Sequence, residues 1–315
     1  MTFRLAALGT LLALPAAGLA GCGDATAVET APLSVQTTEA LDVLPANMPL
    51  VGMVDFAAAR TSGSTAALLD GPMGPFGADG DDLDTFVRLT GFDPATDLDR
   101  VYFAAAPERE SGALVALARF NRERLERAIE EKTDGQLVRS AVDGVPLWTQ
   151  ADGDGGALAL PSERMVLAGT EATVRGMVER LARGTQGLSA DAELMALLQK
   201  ARHREDAWFL TRGIDAAPGD VMGPLSGLSE SLAVSVDFQD AGLGLDAYLA
   251  PRPGASPDDV ADVARGAVSA ARAQAGDEPA LMTMLDGAEV QTEGDGVRLA
   301  MDVPQSVLDL SASMD

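Results

Sequence analysis

Nucleophilic, metal-ligating and proton-transfer chemistry falls mostly to cysteine and histidine, and this chain of 315 residues holds one of each, Cys22 and His203. A Ser–His or Cys–His nucleophile would have to use that single imidazole. So would a histidine-based zinc, iron or copper centre. His203 stands in "QKARHREDAW", between Arg202 and Arg204 at the end of a predicted helix. A helix C-terminus favours a charged imidazole, so His203 reads as a surface residue. Acidic clusters are the remaining source of chemistry. "ADGDDLD", with Asp79, Asp81, Asp82 and Asp84, and "ADGDGG", with Asp152 and Asp154, are weak calcium candidates. Neither continues to the glutamate that an EF-hand needs at its twelfth position. Nothing selects a carboxylate pair for glycoside hydrolysis. Gly242-Leu243-Gly244-Leu245-Asp246-Ala247 matches G-x-G-x-x-A, but inside an alternating strand, where its amides cannot cradle a pyrophosphate. The expectation is therefore a protein without catalytic residues, resident metal or cofactor.

Cys22 has a more specific setting. The chain opens "MTFRLAALGTLLALPAAGLAGC": Arg4, an apolar run from Leu5 to Leu14, Pro15, then small residues. That is the layout of a secretory signal, and it falls short of the roughly 20 apolar residues that span a bilayer. Leu19-Ala20-Gly21-Cys22 has the form of a bacterial lipobox, which directs lipid onto the cysteine thiol and cleavage just before it. A free thiol is a liability in an oxidising compartment, and an acylated one is not free. The reading is a signal peptide over 1–21, lipidation at Cys22 and a flexible, polar tether over 22–42. The localisation expected is the bacterial cell envelope, periplasmic or on the outer face, with the membrane as a partner through the lipid.

The formal charge is −25, and only Lys132 and Lys200 are lysines. Phosphate contacts need clustered Lys and Arg, so nucleic acid is excluded as a partner. Adhesion to anionic headgroups by charge is disfavoured for the same reason. No second cysteine exists, so packing alone holds the fold.

Along the chain, "VGMVDF" reads as a strand and Asp82 to Leu89 as a short helix. The segment 60–84 between them is rich in Gly, Pro and Asp. Met73 and Phe76 are the apolar residues on that loop, placed to act in a flap or a partner contact. "GALVALARF" is β-like, Asn121 is an N-cap, and "RERLERAIEEK" puts Leu125, Ala128 and Ile129 on one helical face. Asp143-Gly144 predicts a hairpin. Val174, Met177, Val178 and Leu181 mark another helix, and Ser256-Pro257-Asp258-Asp259 starts a third. Strands come as hairpins with helices between them. This is the α+β class: antiparallel sheets with helices packed on one face, 43–213 as one domain and 230–315 as a second domain or second half. The strand–helix–hairpin order near 112–150 recurs loosely at 242–303, which suggests a duplication.

"LTGFDPATDLDRVYFAA", "GALVALARFNRERLERAI" and "MVLAGTEATVRGMVERLARG" resemble a loose group of uncharacterised bacterial envelope proteins. In that group a "tGfDP…DldrV" element precedes a strand, and a "FdrerLeaal" segment starts a helix. The likeness covers roughly 43–213. It implies an envelope domain and carries over no activity or site residue. The function expected is non-catalytic, binding an envelope partner or supporting envelope structure. The alternatives are a carrier of an apolar ligand such as a lipid, which needs an apolar cavity lined by strands, and a carboxylate-dependent hydrolase.

Overall fold

The computed structural model describes residues 33–65, 87–106, 111–132, 136–151, 155–202, 206–213, 223–276 and 278–313. They fall into two compact units, the first containing 33–57 and 87–195 and the second 58–65 and 196–313. Both mix helices with antiparallel strands, as the α+β reading requires.

The first unit holds α1 (Val35–Val43), β1 (Leu50–Asp55), β2 (Leu98–Ala106), β3 (Ser111–Ala118), α4 (Arg122–Lys132), β4 (Leu137–Val142), β5 (Val145–Gln150), β6 (Gly156–Ser162), β7 (Met165–Thr170) and α5 (Glu171–Arg183). Two short helices, α2 (Phe56–Thr61) and α3 (Pro94–Asp97), lie between β1 and β2 in the chain. The strands run side by side in the order β1-β2-β3-β7-β6-β5-β4. The second unit holds β8 (Ala207–Arg212), β9 (Ser229–Gln239), β10 (Gly242–Pro251), α7 (Pro257–Ala275), α8 (Pro279–Asp286), β11 (Glu289–Glu293), β12 (Gly296–Pro304) and α9 (Gln305–Ser313), with α6 (Ala192–Lys200) leading into it. Its strand order is β8-β9-β10-β12-β11.

Several sequence expectations need correction. The strands join into long sheets rather than separate hairpin packs. Helices are not confined to one face of the first unit's sheet. Successive strand residues point to opposite faces, yet Leu147 and Trp148 are both buried, as are Ala159 and Leu160. Helix α4 covers the Trp148–Leu160 face through Leu125 and Ile129. Finally, 35–42 is not tether. Ser34 caps α1 by accepting from the Thr37 amide, and Ala40, Leu41 and Val43 are buried. The buried stripe of α1 includes a threonine, so hydropathy periodicity misses it. Segment 60–84 is likewise helical at its start, through 61 and again at 63–65.

The two units share a connectivity. Each has a helix, a strand, a longer connection, a two-strand hairpin, one or two helices, a closing hairpin and a helix, and in each the last strand pairs with the third. The first unit adds the hairpin β4–β5 (Val142↔Val145) around the Asp143-Gly144 turn, where both residues have positive φ. By sheet position the counterpart of β11–β12 is β6–β7, rather than the 137–150 hairpin that the sequence order suggested.

Candidate functional site

The residues singled out from sequence fall outside the described segments. This holds for Leu19, Ala20, Gly21 and Cys22, for Met73 and Phe76, for Asp79, Asp81, Asp152 and Asp154, and for His203. The structure gathers polar chemistry elsewhere, on one face of the second unit's sheet.

Strand β10 reads "GLGLDAYLAP" and alternates strictly. Leu243, Leu245, Ala247 and Leu249 belong to the apolar cluster that packs with α7, α8 and α9. The pleat then sends Gly244, Asp246 and Tyr248 to the other face. Arg298 on β12 stands opposite Tyr248, and Ser235 on β9 opposite Asp246. Arg298 donates to Asp246, to both oxygens of Glu293 (2.6 and 2.9 Å) and to the Lys200 carbonyl at the end of α6 (3.0 Å). Arg202 donates to Glu293 at 3.0 Å and lies 3.7 Å from Asp246. The Lys200 ammonium pairs with Asp295 at 3.0 Å and sits 4.6 Å from the Tyr248 ring centroid. The Tyr248 hydroxyl donates to Asp295 at 2.6 Å.

Arginines 298 and 202 and Lys200 thus face Asp246, Glu293 and Asp295, and their charges cancel. Hydrogen bonds from Arg298 hold the Glu293 carboxyl below the usual glutamate range, and those from Tyr248 and Lys200 do the same for Asp295. Burial, then the bond to Asp295, pushes the Tyr248 phenol up. Burial works against the Lys200 charge, but Asp295 and Tyr248 outweigh it and raise its pKa. The cluster is a clasp: its bonds fix the end of α6 onto β10, β11 and β12.

A smaller clasp fixes α1 in the first unit. Buried Tyr102 on β2 shares a 3.1 Å hydrogen bond with Thr37, and Arg100 pairs with buried Asp55 at 2.5 Å and reaches Ser34 at 3.4 Å. The chain's two tyrosines are the centres of the two clasps. Sequence could have flagged them: Arg100/Tyr102 and Asp246/Tyr248 are polar residues two apart, on one face of otherwise apolar strands.

Two concavities open at the surface. One of about 260 Å³ beside the Arg298 clasp is lined by Arg202, Gln239, Asp246, Glu289 and Asp302 among others. One of about 130 Å³ lies against Arg124, Arg127 and Glu131. Their walls mix charged side chains with apolar ones, Leu245, Ala300 and Met301 in the larger and Leu89 and Ala128 in the smaller. Among the described residues no group of three or more His, Cys, Asp or Glu comes together to hold a metal ion. No helix among them is long and apolar enough to cross a membrane.

The "GFDP…DLDRV" stretch runs through α3 into β2. Asp93 accepts from the Ala95 amide at 2.9 Å, and Asp97 accepts from the Asp93 amide at 3.0 Å. No family model matches the chain, and no curated protein does. Solved structures do. The protein TP0453 superposes in its crystal forms III, I and IV with TM-scores of 0.50, 0.51 and 0.52. The identity is 9%, over 87% of this chain and 97%, 96% and 95% of the TP0453 chains. The likeness establishes a shared fold.

Proposed function

We propose that this chain is a lipid-anchored protein of the bacterial cell envelope with a non-catalytic role, binding an envelope partner or supporting envelope structure. The observation that carries the reading is Leu19-Ala20-Gly21-Cys22, placed after a signal-like apolar run and holding the chain's single cysteine. Two buried acyl chains contribute about 0.8 kcal/mol per CH₂, enough for stable anchoring without a membrane-spanning helix. The non-catalytic half draws support from the clasp, whose ionised groups are consumed by one another.

The test is Cys22→Ala in a bacterial host. Wild-type protein is expected in the membrane fraction and released by detergent but not by salt, as its acidity predicts. The variant is expected to lose that sedimentation. Equal partitioning of the two would refute the anchor.

A further inference from the structure

If Cys22 is the anchor, the point where the chain is fastened to the folded residues limits which surfaces can meet the lipid. That point is well defined. Besides the Tyr102 clasp, the far end of α1 is held by Ser189 to Asp42, by Arg180 to the Val43 carbonyl (2.9 Å) and by the Leu188 amide to the Leu44 carbonyl (3.0 Å). Ser34 is therefore the first fastened side chain among the described residues, twelve positions after Cys22. Twelve peptide steps span at most about 43 Å.

Ser34 lies beside Arg100, so it sits at the strand end formed by Asp55 and Arg100, with Ala118 opposite Leu98. The opposite end, where Ala106 meets Ser111, is about 20 Å away, six residues along β2 from Arg100. The reach of the tether alone would allow either end to approach the bilayer. Val35 distinguishes them. It is the first residue of α1, next to the attachment point, and at 73% it is the most exposed large hydrophobic side chain among the described residues. Three arginines at this end are paired with carboxylates: Arg100 with Asp55, and Arg119 and Arg164 both with Asp99. An apolar contact then requires no anionic lipid.

We infer that the Ser34–Val35–Arg100 end of the first unit is its membrane-proximal surface, with Val35 resting in the headgroup layer of a lipid bilayer. The inference rests on the acylated anchor proposed above. It is tested on the full-length acylated protein, whose Cys22 thiol is blocked. Val35→Cys and Ser111→Cys variants are labelled with a fluorophore and bound to phosphatidylcholine vesicles carrying a nitroxide quencher at headgroup depth. Flotation with the vesicles is scored separately. The label at 35 should be quenched several-fold more strongly than the label at 111. Flotation with equal or reversed quenching would overturn the orientation and leave the anchor standing. Failure of both variants to float would overturn the anchor, and the orientation with it.

Discussion

Arg298→Ala is expected to destabilise the protein by about 3–5 kcal/mol in chemical denaturation, the usual cost of stripping one partner from a buried ion pair. Side-chain exposure is 6% for Arg298 and 3% for Asp246, so water cannot take over the lost contacts. The variant also removes the donor to the Lys200 carbonyl, freeing the end of α6. Lys200→Ala is the comparison. Its pair with Asp295 is largely in water, and such pairs contribute about 0–1 kcal/mol. Substituting both buried partners, Arg298→Met with Asp246→Leu, should restore much of the loss, because no isolated charge remains. An Arg298→Ala protein within 1 kcal/mol of wild type would show that the clasp does not hold the sheet.

The same cluster gives a pH dependence of definite sign. Glu293 has its pKa lowered in the folded protein, chiefly by hydrogen bonds from Arg298. A depressed carboxylate contributes stability that is fully present above its unfolded value and is lost as pH falls through the folded one. Wild-type stability should therefore decline on acidification below the normal glutamate range. In Arg298→Ala that component should shrink, since the main cause of the depression is gone. Urea midpoints measured from neutral to acid pH check both statements.

Gly187→Ala is the second large effect. A β-carbon at Gly187 would lie 2.6 Å from the Asp42 carbonyl oxygen and closer still to that of Leu44. Both are backbone atoms at the end of α1, so no side chain can swing aside. Relief requires α1 to move off the Leu188 turn, which breaks the Leu188–Leu44 hydrogen bond. Overpacking of this kind costs about 1–3 kcal/mol. Gly184→Ala is an informative contrast. Its φ of 62° is left-handed, but nothing lies within 4 Å of the added carbon. It should cost only the smaller conformational strain, and α1 should stay docked. Amide exchange across 35–44 separates the two variants: fast in Gly187→Ala, near wild type in Gly184→Ala. Unchanged protection in Gly187→Ala would contradict the close approach.

The contrast between what was legible in the sequence and what was not has a physical basis. Local signals were strong where one residue sets the backbone. Asp143-Gly144 makes its hairpin, Thr170 caps α5 by accepting from Thr173, and Ser256 with Asp259 forms a capping box at α7. Long-range pairing was not legible. The neighbours β3 and β7 are separated by four other elements, α4, β4, β5 and β6, and no local pattern says that the seventh strand folds back beside the third. Helix α1 was missed because its buried Thr37 is satisfied by Tyr102, a partner 65 residues away. The clasp is legible only in part: Asp246 and Tyr248, two apart on an apolar strand, carry a local signal, but their partner Arg298 shows none until β10 and β12 are paired.

The central claim is that Cys22 is an acylated N-terminus, and intact mass of the protein purified from bacterial membranes tests it most directly. The account predicts a chain that starts at Cys22 and is heavier than its sequence by its acyl groups. A chain with the expected unmodified mass and a free, alkylatable thiol at Cys22 would contradict it.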